Sequence, residues 1–503
     1  MTGVRGVTLR GVEAVPVEVE VEITGGLFSI TVVGLPDAAV KEARERVRAA
    51  LRSLGVLLRG RVAVNLAPAD LPKEGALLDV PMAVGLLAAV GSLPRRPEGI
   101  FLGELALDGR LRRVRGAVPA ALLARDLGVP LFLPPENVPE AAWVKGATLL
   151  APPTLPDLLG HLRGESLLPP VPHGDVDEAP WVPDPDLRDI KGQTGAKRAL
   201  EIAAAGHHNL LLTGSPGSGK TLLARALRGI LPPLGDEELT EVLAVRSTAG
   251  EEGPPSRLRP FRPVHPTASV VALCGGGSGL RPGEVTLAHR GVLFLDEFPE
   301  FHRDALEALR APLEDGRIRV SRATGTVSYP ARVLLACACN PCPCGYRGDP
   351  SRPCTCSPSE IHRYQRRLSG PILDRIDLHV PVPRLSPAEL VQMEDRGGED
   401  SAAVRRRVEQ ARQVQRDRWA AQGVQCNAEL PERLVRRGLN LDPEVRPFLT
   451  ETLGRLRLTG RGLSRILKVA RTVADLEGTS SVGVSHVAEA LAFREGQSSW
   501  TAG

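Results

Sequence analysis

The stretch NLLLTGSPGSGKT, residues 209–221, decides the fold of the central part of the chain. A short apolar run at 210–212 leads into a glycine-rich loop, and the helical pattern TLLARALRGIL follows. The loop fits G-x-x-x-x-G-K-[ST], a pattern in which backbone N–H groups turn inward around phosphate oxygens. A strand, a phosphate loop and a helix in this order predict a nucleoside triphosphate site in an α/β fold. The alternative, a glycine turn that happens to precede a lysine, is disfavoured by both flanking elements.

The phosphate loop supplies most of the predicted nucleotide contacts. Its lysine reaches the β- and γ-phosphates and its threonine hydroxyl is a ligand of Mg²⁺, so ATP and Mg²⁺ are the predicted cofactors. The loop residues assigned to binding are Gly214, Ser215, Pro216, Gly217, Ser218, Gly219, Lys220 and Thr221.

A second apolar run, VLFLDE at 292–297, ends in two carboxylates. We expect a buried strand with Asp296 at its carboxyl end, where it holds Mg²⁺ through water, and with Glu297 polarising the attacking water. The alternative is an ordinary strand that ends in a charged turn. Together, the two motifs predict a nucleoside triphosphatase.

The composition is compatible with several domains and argues for no particular partner. A length of 503 residues predicts about two to four domains. The net charge of +4 permits nucleic acid without requiring it, and an aromatic content of 3% disfavours platforms for base stacking. We expect a cytoplasmic protein without membrane contact, since neither a signal-peptide pattern nor an uninterrupted apolar span is present.

Two stretches resemble the proteolytic domain of Lon-type proteases: LPKEGALLDVPMAVGLL at 71–87, and the segment from LGELALDG to LPPENV at 102–138. Where those proteases carry a nucleophilic serine and a lysine, this chain has Leu77 and, approximately, Val118. Neither side chain can act as nucleophile or base. The resemblance therefore implies a Lon-like α+β domain without proteolytic activity. Two interpretations stay open for a group of arginines in this region: they contact phosphates, or they lie on a solvated hairpin. The four arginines are Arg110, Arg112, Arg113 and Arg115.

The central and C-terminal parts resemble the magnesium-chelatase-like AAA+ ATPases, and specifically the ComM/YifB family. The resemblance is carried by RSTAGE at 246–251, by the segment 261–341, and by the order of a Lon-like domain, an AAA+ core and a helical C-terminal part. It implies a P-loop AAA+ core, with helices on both faces of a parallel sheet, and an α-helical lid. The implied divisions are 1–165 for the Lon-like domain, 166–186 for a proline-rich linker, 187–385 for the core with magnesium-chelatase-type insertions, 386–400 for a loop and 401–495 for the lid.

The same resemblance implies roles for polar residues outside the phosphate loop. Asn340 matches the sensor asparagine that positions water against the γ-phosphate. Arg375 matches the arginine finger, which acts on the nucleotide of a neighbouring subunit. A salt bridge to Asp374 or Asp377 stays open as the alternative for Arg375.

A helix of the C-terminal part resembles the second-sensor helix of AAA+ proteins. In it Arg465 is the predicted phosphate-contacting arginine, and Arg461 is the second choice; solvent exposure is the alternative. Ile190 and Gly192, before the first core helix, are the implied adenine contacts.

The segment GRIRVSRATGTVSYP at 316–330 alternates across a turn at 323–325 and predicts a β-hairpin. In the resembled family this hairpin faces the pore of the ring. Arg317, Arg319 and Arg322 are therefore the predicted DNA contacts, and a plain charged edge hairpin is the alternative.

Six of the eight cysteines lie between 337 and 356, and this clustering favours a metal over disulfides in a cytoplasmic protein. Four of them, Cys342, Cys344, Cys354 and Cys356, can form a tetrahedral zinc site. Structural zinc, free thiols and a redox role all stay open, because C-x-C is tighter than the usual C-x₂-C and Cys339 offers a competing ligand.

With the family resemblance, these motifs predict an ATP-hydrolysing motor, a homo-hexamer that acts on single-stranded or branched DNA. The implied activity is helicase action or branch migration in natural transformation or recombination. One alternative is a chelatase-like ATPase that drives metal insertion. The other is a protein remodeller whose inactive protease domain binds polypeptide.

Overall fold

The computed structural model describes residues 2–73, 75–174, 183–277, 280–322, 325–386, 398–456 and 459–501. Much of the predicted linker 166–186 and of the predicted loop 386–400 lies outside the described residues, as do positions 323–324 of the predicted hairpin turn and the side chain of Arg322. The boundaries of the predicted domains stay predictions. No helix in these ranges has both the length and the apolar character needed to cross a lipid bilayer.

The N-terminal region is built on a seven-stranded mixed sheet with the strand order β3-β4-β2-β1-β5-β8-β9. In its long strand, Glu13–Thr24, buried valines alternate with more exposed glutamates, because successive side chains point to opposite faces. The strands are β1 Val4–Arg10, β2 Glu13–Thr24, β3 Ser29–Val33, β4 Arg61–Ala67, β5 Ile100–Phe101, β8 Leu131–Phe132 and β9 Leu149–Leu150, with a separate antiparallel pair, β6 Glu104–Leu105 and β7 Leu111–Arg112. The α-helices are Ala38–Ser53, Asp79–Ala89, Ala117–Leu127, Val138–Ala141 and Leu155–Leu162.

The central region contains a five-stranded sheet in the order β11-β14-β17-β10-β18, and every pair in it is parallel. Its strands are β10 Leu210–Thr213, β11 Phe261–Val264, β14 Val292–Leu295, β17 Leu334–Cys339 and β18 Leu378–Pro381. Because all five strands run in one direction, their carboxyl ends share one edge of the sheet. The α-helices are Thr194–Gly206, Lys220–Ile230, Asp236–Ala249, Val270–Cys274, Glu284–Leu287, Arg303–Ala308, Arg310–Asp315, Pro358–Gln365 and Gly370–Leu373.

Two antiparallel pairs are inserted into this region. The short pair is β12 Gly275–Gly276 with β13 Arg281–Pro282. The longer pair is β15 Arg317–Arg322 with β16 Gly325–Pro330, and it confirms the predicted hairpin.

The C-terminal part is helical and shares its core with the central sheet. Buried residues of its helices, such as Val408 and Val473, belong to the same apolar cluster as Ala203 and Leu212. The helices are Ser401–Trp419, Glu432–Gly438, Val445–Leu456, Gly460–Leu476 and Val484–Thr501. The architecture therefore confirms the predicted α/β class, with a parallel sheet and a C-terminal helical part.

The N-terminal region is docked on the central region through helix Asp236–Ala249. The Val118 amide donates to the Ser247 hydroxyl over 3.2 Å, at the start of helix Ala117–Leu127. Leu77 and Val118 are both buried in one apolar cluster that includes leucines and valines of helix Asp236–Ala249. The two residues that the resemblance aligns with Lon catalytic positions thus contribute to an internal apolar interface.

This interface predicts a stability effect for Leu243, which is 4% exposed within the shared cluster. Leu243→Ala should lower the free energy of unfolding by about 2–4 kcal/mol, because it leaves a cavity between two regions. Leu127→Ala, at a position 48% exposed, is the matched control and should change it by less than about 0.5 kcal/mol. Urea unfolding of the full chain measures both. Equal effects of the two substitutions would contradict the interface.

Candidate functional site

The phosphate loop follows β10 at the carboxyl edge of the parallel sheet. A Cβ at Gly214 would lie 2.2 Å from the Val382 carbonyl oxygen, so this position has no room for a side chain. Gly217 and Gly219 have φ angles of +78° and +94°, in the region that favours glycine. The helix Lys220–Ile230 starts directly after Gly219, with its N-terminus at the loop.

Lys220 is 8% exposed and folded back over the loop. Its Nζ donates to the carbonyl oxygens of Gly214, over 2.7 Å, and Ser215, over 2.9 Å. It also donates to Oδ1 of Asn340, over 3.2 Å. Burial lowers the pKa of Lys220. The lysine of the loop and the predicted sensor asparagine, 120 positions apart, are therefore brought into direct contact by the pairing of β10 with β17.

The two carboxylates after β14 lie at the same edge. Thr221 Oγ1 donates to Asp296 Oδ2 over 2.9 Å, so the two predicted magnesium ligands are adjacent. The Glu297 amide donates to Asp296 Oδ1 over 2.9 Å, and Glu297 has a φ angle of +51°. This left-handed backbone turns the exposed Glu297 side chain away from the direction of the strand.

The donors and acceptors of this edge fit magnesium and a polyphosphate. The Ser218 hydroxyl is buried and has no hydrogen-bond partner among the described residues. Hydroxyl and carboxylate oxygens, which magnesium prefers, are supplied by Thr221 and Asp296. A bound nucleotide would place its phosphates against the loop amides and Lys220.

Arg375 and Arg465 lie at the opposite edge of the sheet. β18 starts at Leu378, and the amides of Asp377 and Leu378 donate to the carbonyl oxygen of Asn209, the residue before β10. Asp377 pairs with Arg465 over 3.4 Å and with His208 over 3.3 Å. Burial favours a higher pKa for Asp377, but these partners lower it below its ordinary value.

Arg375 is 8% exposed and held by its own chain. Its Nη1 donates to the Pro371 carbonyl oxygen over 2.6 Å, and its Nη2 pairs with Glu314. The salt bridge weighed from the sequence was to Asp374 or Asp377, whereas the observed carboxylate is Glu314, from helix Arg310–Asp315. No local sequence pattern predicts this pair, because 61 positions separate the two residues.

Gln193 is a second contact that sequence reasoning missed. Its Nε2 donates to the carbonyl oxygens of Ser218, over 3.3 Å, and Pro383, over 2.6 Å. It follows Ile190 and Gly192, so the segment that carries the predicted adenine contacts is tied to the phosphate loop. A lone glutamine before a helix carries no sequence signal for this role.

The two sets of candidate arginines differ in their partners. Arg317 and Arg319 are exposed on β15, and they alternate with Ile318, which is buried. In the N-terminal set, Arg110 pairs with Asp108 and Arg112 with Glu104, and Arg113 pairs both with Glu140 and with Glu252 of the central region. These pairs favour the solvated-hairpin alternative for the N-terminal set over phosphate contact.

The four clustered cysteines come together as predicted from their spacing. The sulfurs of Cys342, Cys344, Cys354 and Cys356 all lie within 4.8 Å of one another. Cys339 lies outside this group, buried on β17 with its sulfur 3.5 Å from Thr213 Oγ1.

Comparison with known proteins gives consecutive family matches along the chain. The model described as subunit ChlI of Mg-chelatase matches residues 19–137, and magnesium chelatase, subunit ChlI, matches 186–390. The C-terminal model of the same subunit matches 398–494. The chain is 44% identical over 493 residues to competence protein ComM of Haemophilus influenzae, covering 96% of this chain and 95% of that protein. It is 43% identical over 491 residues to the uncharacterized protein YifB of Escherichia coli, again covering 96% and 95%. The chain belongs to the ComM/YifB family of magnesium-chelatase-like AAA+ proteins.

Membership of the ComM/YifB family confirms the resemblance drawn from the sequence. The AAA+ family implies ATP and Mg²⁺ as ligands. A local match to an archaeal Lon protease of Halobacterium salinarum, 35% identical over 104 residues and covering 21% of this chain and 13% of that protein, accords with the Lon-like N-terminal region. The roles of individual side chains in this ComM/YifB protein stay predictions.

The position of Glu297 beside Asp296 predicts a separation of ATP binding from turnover. Glu297→Gln keeps the phosphate loop intact and removes the carboxylate, so ATP binding should persist while hydrolysis falls by about 100-fold or more. Lys220→Ala should lose both. Glu300→Gln, on the neighbouring turn and paired with Arg367, is the matched control and should keep both. Hydrolysis by Glu297→Gln near the parent rate would contradict the role of Glu297.

Proposed function

We propose that this chain is an ATP-hydrolysing motor that assembles into a homo-hexameric ring and acts on single-stranded or branched DNA. The observation that carries the proposal is the division of the site between two edges of one sheet. Lys220, Thr221, Asp296 and Asn340 lie at the carboxyl edge. Arg375 and Arg465 lie at the amino edge, beside the start of β18.

The length of the strands separates the two sets. From Asn209 to Gly214 the chain advances by five residues, which is about 16 Å at the rise of a β-strand. An arginine at the amino edge is therefore badly placed for phosphates at the carboxyl edge of its own subunit. Action on the nucleotide of a neighbouring subunit resolves this, and it requires an assembly in which the amino edge of one subunit faces the carboxyl edge of the next.

Each side chain then has a separate task. Bound Mg²⁺–ATP supplies the phosphoanhydride bond that is broken. Glu297 takes up a proton from the attacking water, and Asn340 orients that water. Lys220 holds the phosphates within the loop. Arg375 and Arg465 from the neighbour stabilise the negative charge that develops during phosphoryl transfer.

Arg375 can take up this task only after it exchanges a partner. In the single chain its guanidinium is paired with Glu314, whose side chain is 56% exposed. A phosphate from a neighbouring subunit competes with that carboxylate for the same guanidinium, since both are acceptors suited to arginine. Assembly of the ring would thus exchange an internal ion pair for one between subunits.

The DNA part of the proposal rests on the family and on the β15–β16 hairpin. A relative with nearly full coverage is named a competence protein. The exposed Arg317 and Arg319 present positive charge on one face of the hairpin, and the predicted contact Arg322 lies on the same strand. Such charge contacts nucleic acid through phosphates and confers little sequence preference. Helicase action or branch migration during transformation or recombination is the activity that we propose.

Two alternatives remain as outcomes of a direct test. The family models are named for the magnesium chelatase subunit, which favours an ATPase that drives metal insertion. The protein-remodelling alternative is disfavoured by the burial of Leu77 and Val118 under helix Asp236–Ala249, because a polypeptide cannot enter there. ATPase rates with forked DNA, with unfolded protein and with neither separate these functions. Stimulation by unfolded protein alone would overturn the DNA proposal.

If each ATP site combines residues of two neighbouring subunits, two inactive variants should complement each other when they are mixed. Lys220→Ala and Arg375→Ala should each abolish ATP hydrolysis, and mixing them should restore part of it. The restored activity comes from interfaces where an intact phosphate loop meets an intact arginine. Lys220→Ala mixed with Glu297→Gln is the control and should stay inactive, because both substitutions lie at the same edge. No recovery after subunit exchange would contradict action between subunits.

The hairpin predicts the salt dependence of DNA binding. Each phosphate contact contributes about −0.7 to −0.9 to the slope of log affinity against log salt, so Arg317→Ala with Arg319→Ala should reduce the slope by about 1.5. DNA stimulation of the ATPase should be lost while basal hydrolysis persists. Arg110→Ala with Arg112→Ala removes the same charge from arginines that are paired with Asp108 and Glu104, and it is the control. An unchanged slope and unchanged stimulation in the hairpin variant would remove the DNA role.

A further inference from the structure

The four-cysteine loop has the dimensions of a site for one metal ion. Cys342 Sγ lies 3.4 Å from Cys344 Sγ and 3.6 Å from Cys354 Sγ, and the Cys344–Cys354 distance is also 3.6 Å. A zinc ion with Zn–S bonds of about 2.3 Å holds tetrahedral sulfurs about 3.8 Å apart. The observed spacing is close to that value.

The backbone around the cysteines supports thiolates. The Cys344 amide donates to Cys356 Sγ over 3.3 Å. The segment 341–356, between β17 and helix Pro358–Gln365, contains neither strand nor helix, so its conformation depends on contacts between side chains and turns. Cys339 Sγ contacts Thr213 and does not compete for the site.

The same loop lies against the phosphate loop. A Cβ at Gly345 would come within 2.7 Å of Pro216 Cδ and 3.7 Å of Asn340 Cγ, so the backbone of Gly345 is in close contact with both. Asn340, which accepts from Lys220, precedes Cys342 by two positions. The cysteine loop therefore meets the nucleotide site at Pro216 and at Asn340.

We propose that Cys342, Cys344, Cys354 and Cys356 bind one structural Zn²⁺, and that the metal-bound loop braces the phosphate loop and Asn340 for nucleotide binding. The second part of this proposal, the effect of the loop on nucleotide binding, rests on the proposed nucleotide site. Zinc binding cross-links a segment that has no regular secondary structure, and it presents Gly345 to Pro216 in one conformation. Zinc is thereby a structural requirement for ATP affinity and takes no part in the chemistry.

Metal analysis of the purified full chain tests whether the four cysteines bind zinc. We expect about one zinc per chain, since four thiolates complete one tetrahedral site. The variant Cys354→Ser with Cys356→Ser should lose the zinc and bind a fluorescent ATP analogue at least about tenfold more weakly. The control, Cys274→Ser with Cys426→Ser, changes two cysteines that lie outside the cluster and should keep both properties. A folded, ATP-binding parent protein without zinc, or with iron in its place, would overturn the metal site.

Substitutions of two glycines in the cysteine loop test whether this loop supports the phosphate loop, independently of metal binding. Gly345 and Gly348 have φ angles of +86° and +80°, so alanine strains the backbone similarly at both. A Cβ at Gly345 meets Pro216, whereas a Cβ at Gly348 has no atom within 4 Å. Gly345→Ala should therefore retain zinc and bind the ATP analogue about tenfold more weakly, while Gly348→Ala stays within about twofold.

The readouts separate the two proposals. A parent protein that does not bind the ATP analogue contradicts the nucleotide site itself. If the parent binds both zinc and the ATP analogue, and Gly345→Ala and Gly348→Ala bind the analogue with equal affinity, the loop does not support nucleotide binding. The proposed nucleotide site is then unaffected. If the cysteine variant does not fold, the zinc content of the parent and the glycine pair still decide the proposal.

Discussion

The parallel pairing of β10 with β17 on one side and β18 on the other is the constraint on which the rest of the structure depends. It aligns the residues that follow β10 and β17, so that Lys220 reaches Asn340. It also aligns the residues that precede β10 and β18, so that Asn209 accepts from Asp377. A parallel sheet has two chemically distinct edges, one for loops after strands and one for loops before them. The candidate phosphate-binding groups and the candidate arginines are therefore divided between these two edges.

The Lon-like N-terminal region packs against the central region through apolar side chains. Leu77 and Val118, which the resemblance aligns with a serine and a lysine of Lon-type proteases, contribute to an apolar surface that is more stable when buried than when hydrated. Helix Asp236–Ala249 covers that surface, and the Ser247 hydroxyl accepts from the Val118 amide. A second contact joins the same region to the hairpin, since a Cβ at Gly11 would lie 2.6 Å from a methyl group of Val327. The N-terminal region is thus in direct contact with the hairpin that carries the candidate DNA-binding arginines.

The amino edge of the sheet concentrates positive charge and balances it with few carboxylates. Among the described residues, Arg375 pairs with Glu314 and Arg465 pairs with Asp377. Nearby Arg310 and Arg461 add to the positive field at Arg375, and burial lowers the pKa of that guanidinium. An edge with this surplus of arginine is electrostatically suited to phosphate groups. In the ring proposed above, the exposed Glu314 is the group that such a phosphate would displace.

The sequence by itself determined the elements whose signals are local. The phosphate loop at 209–221, the carboxylates after the apolar run at 292–297 and the hairpin at 316–330 are all defined by spacing over fewer than twenty residues, and they match observed elements. Family resemblance extended this to the α/β class and the order of the regions. Tertiary structure alone decided which distant groups meet: Arg375 with Glu314, Gln193 with Ser218, and Gly345 with Pro216. Such contacts depend on the order of strands in the sheet and on the direction of each loop, and neither leaves a periodic pattern in the sequence.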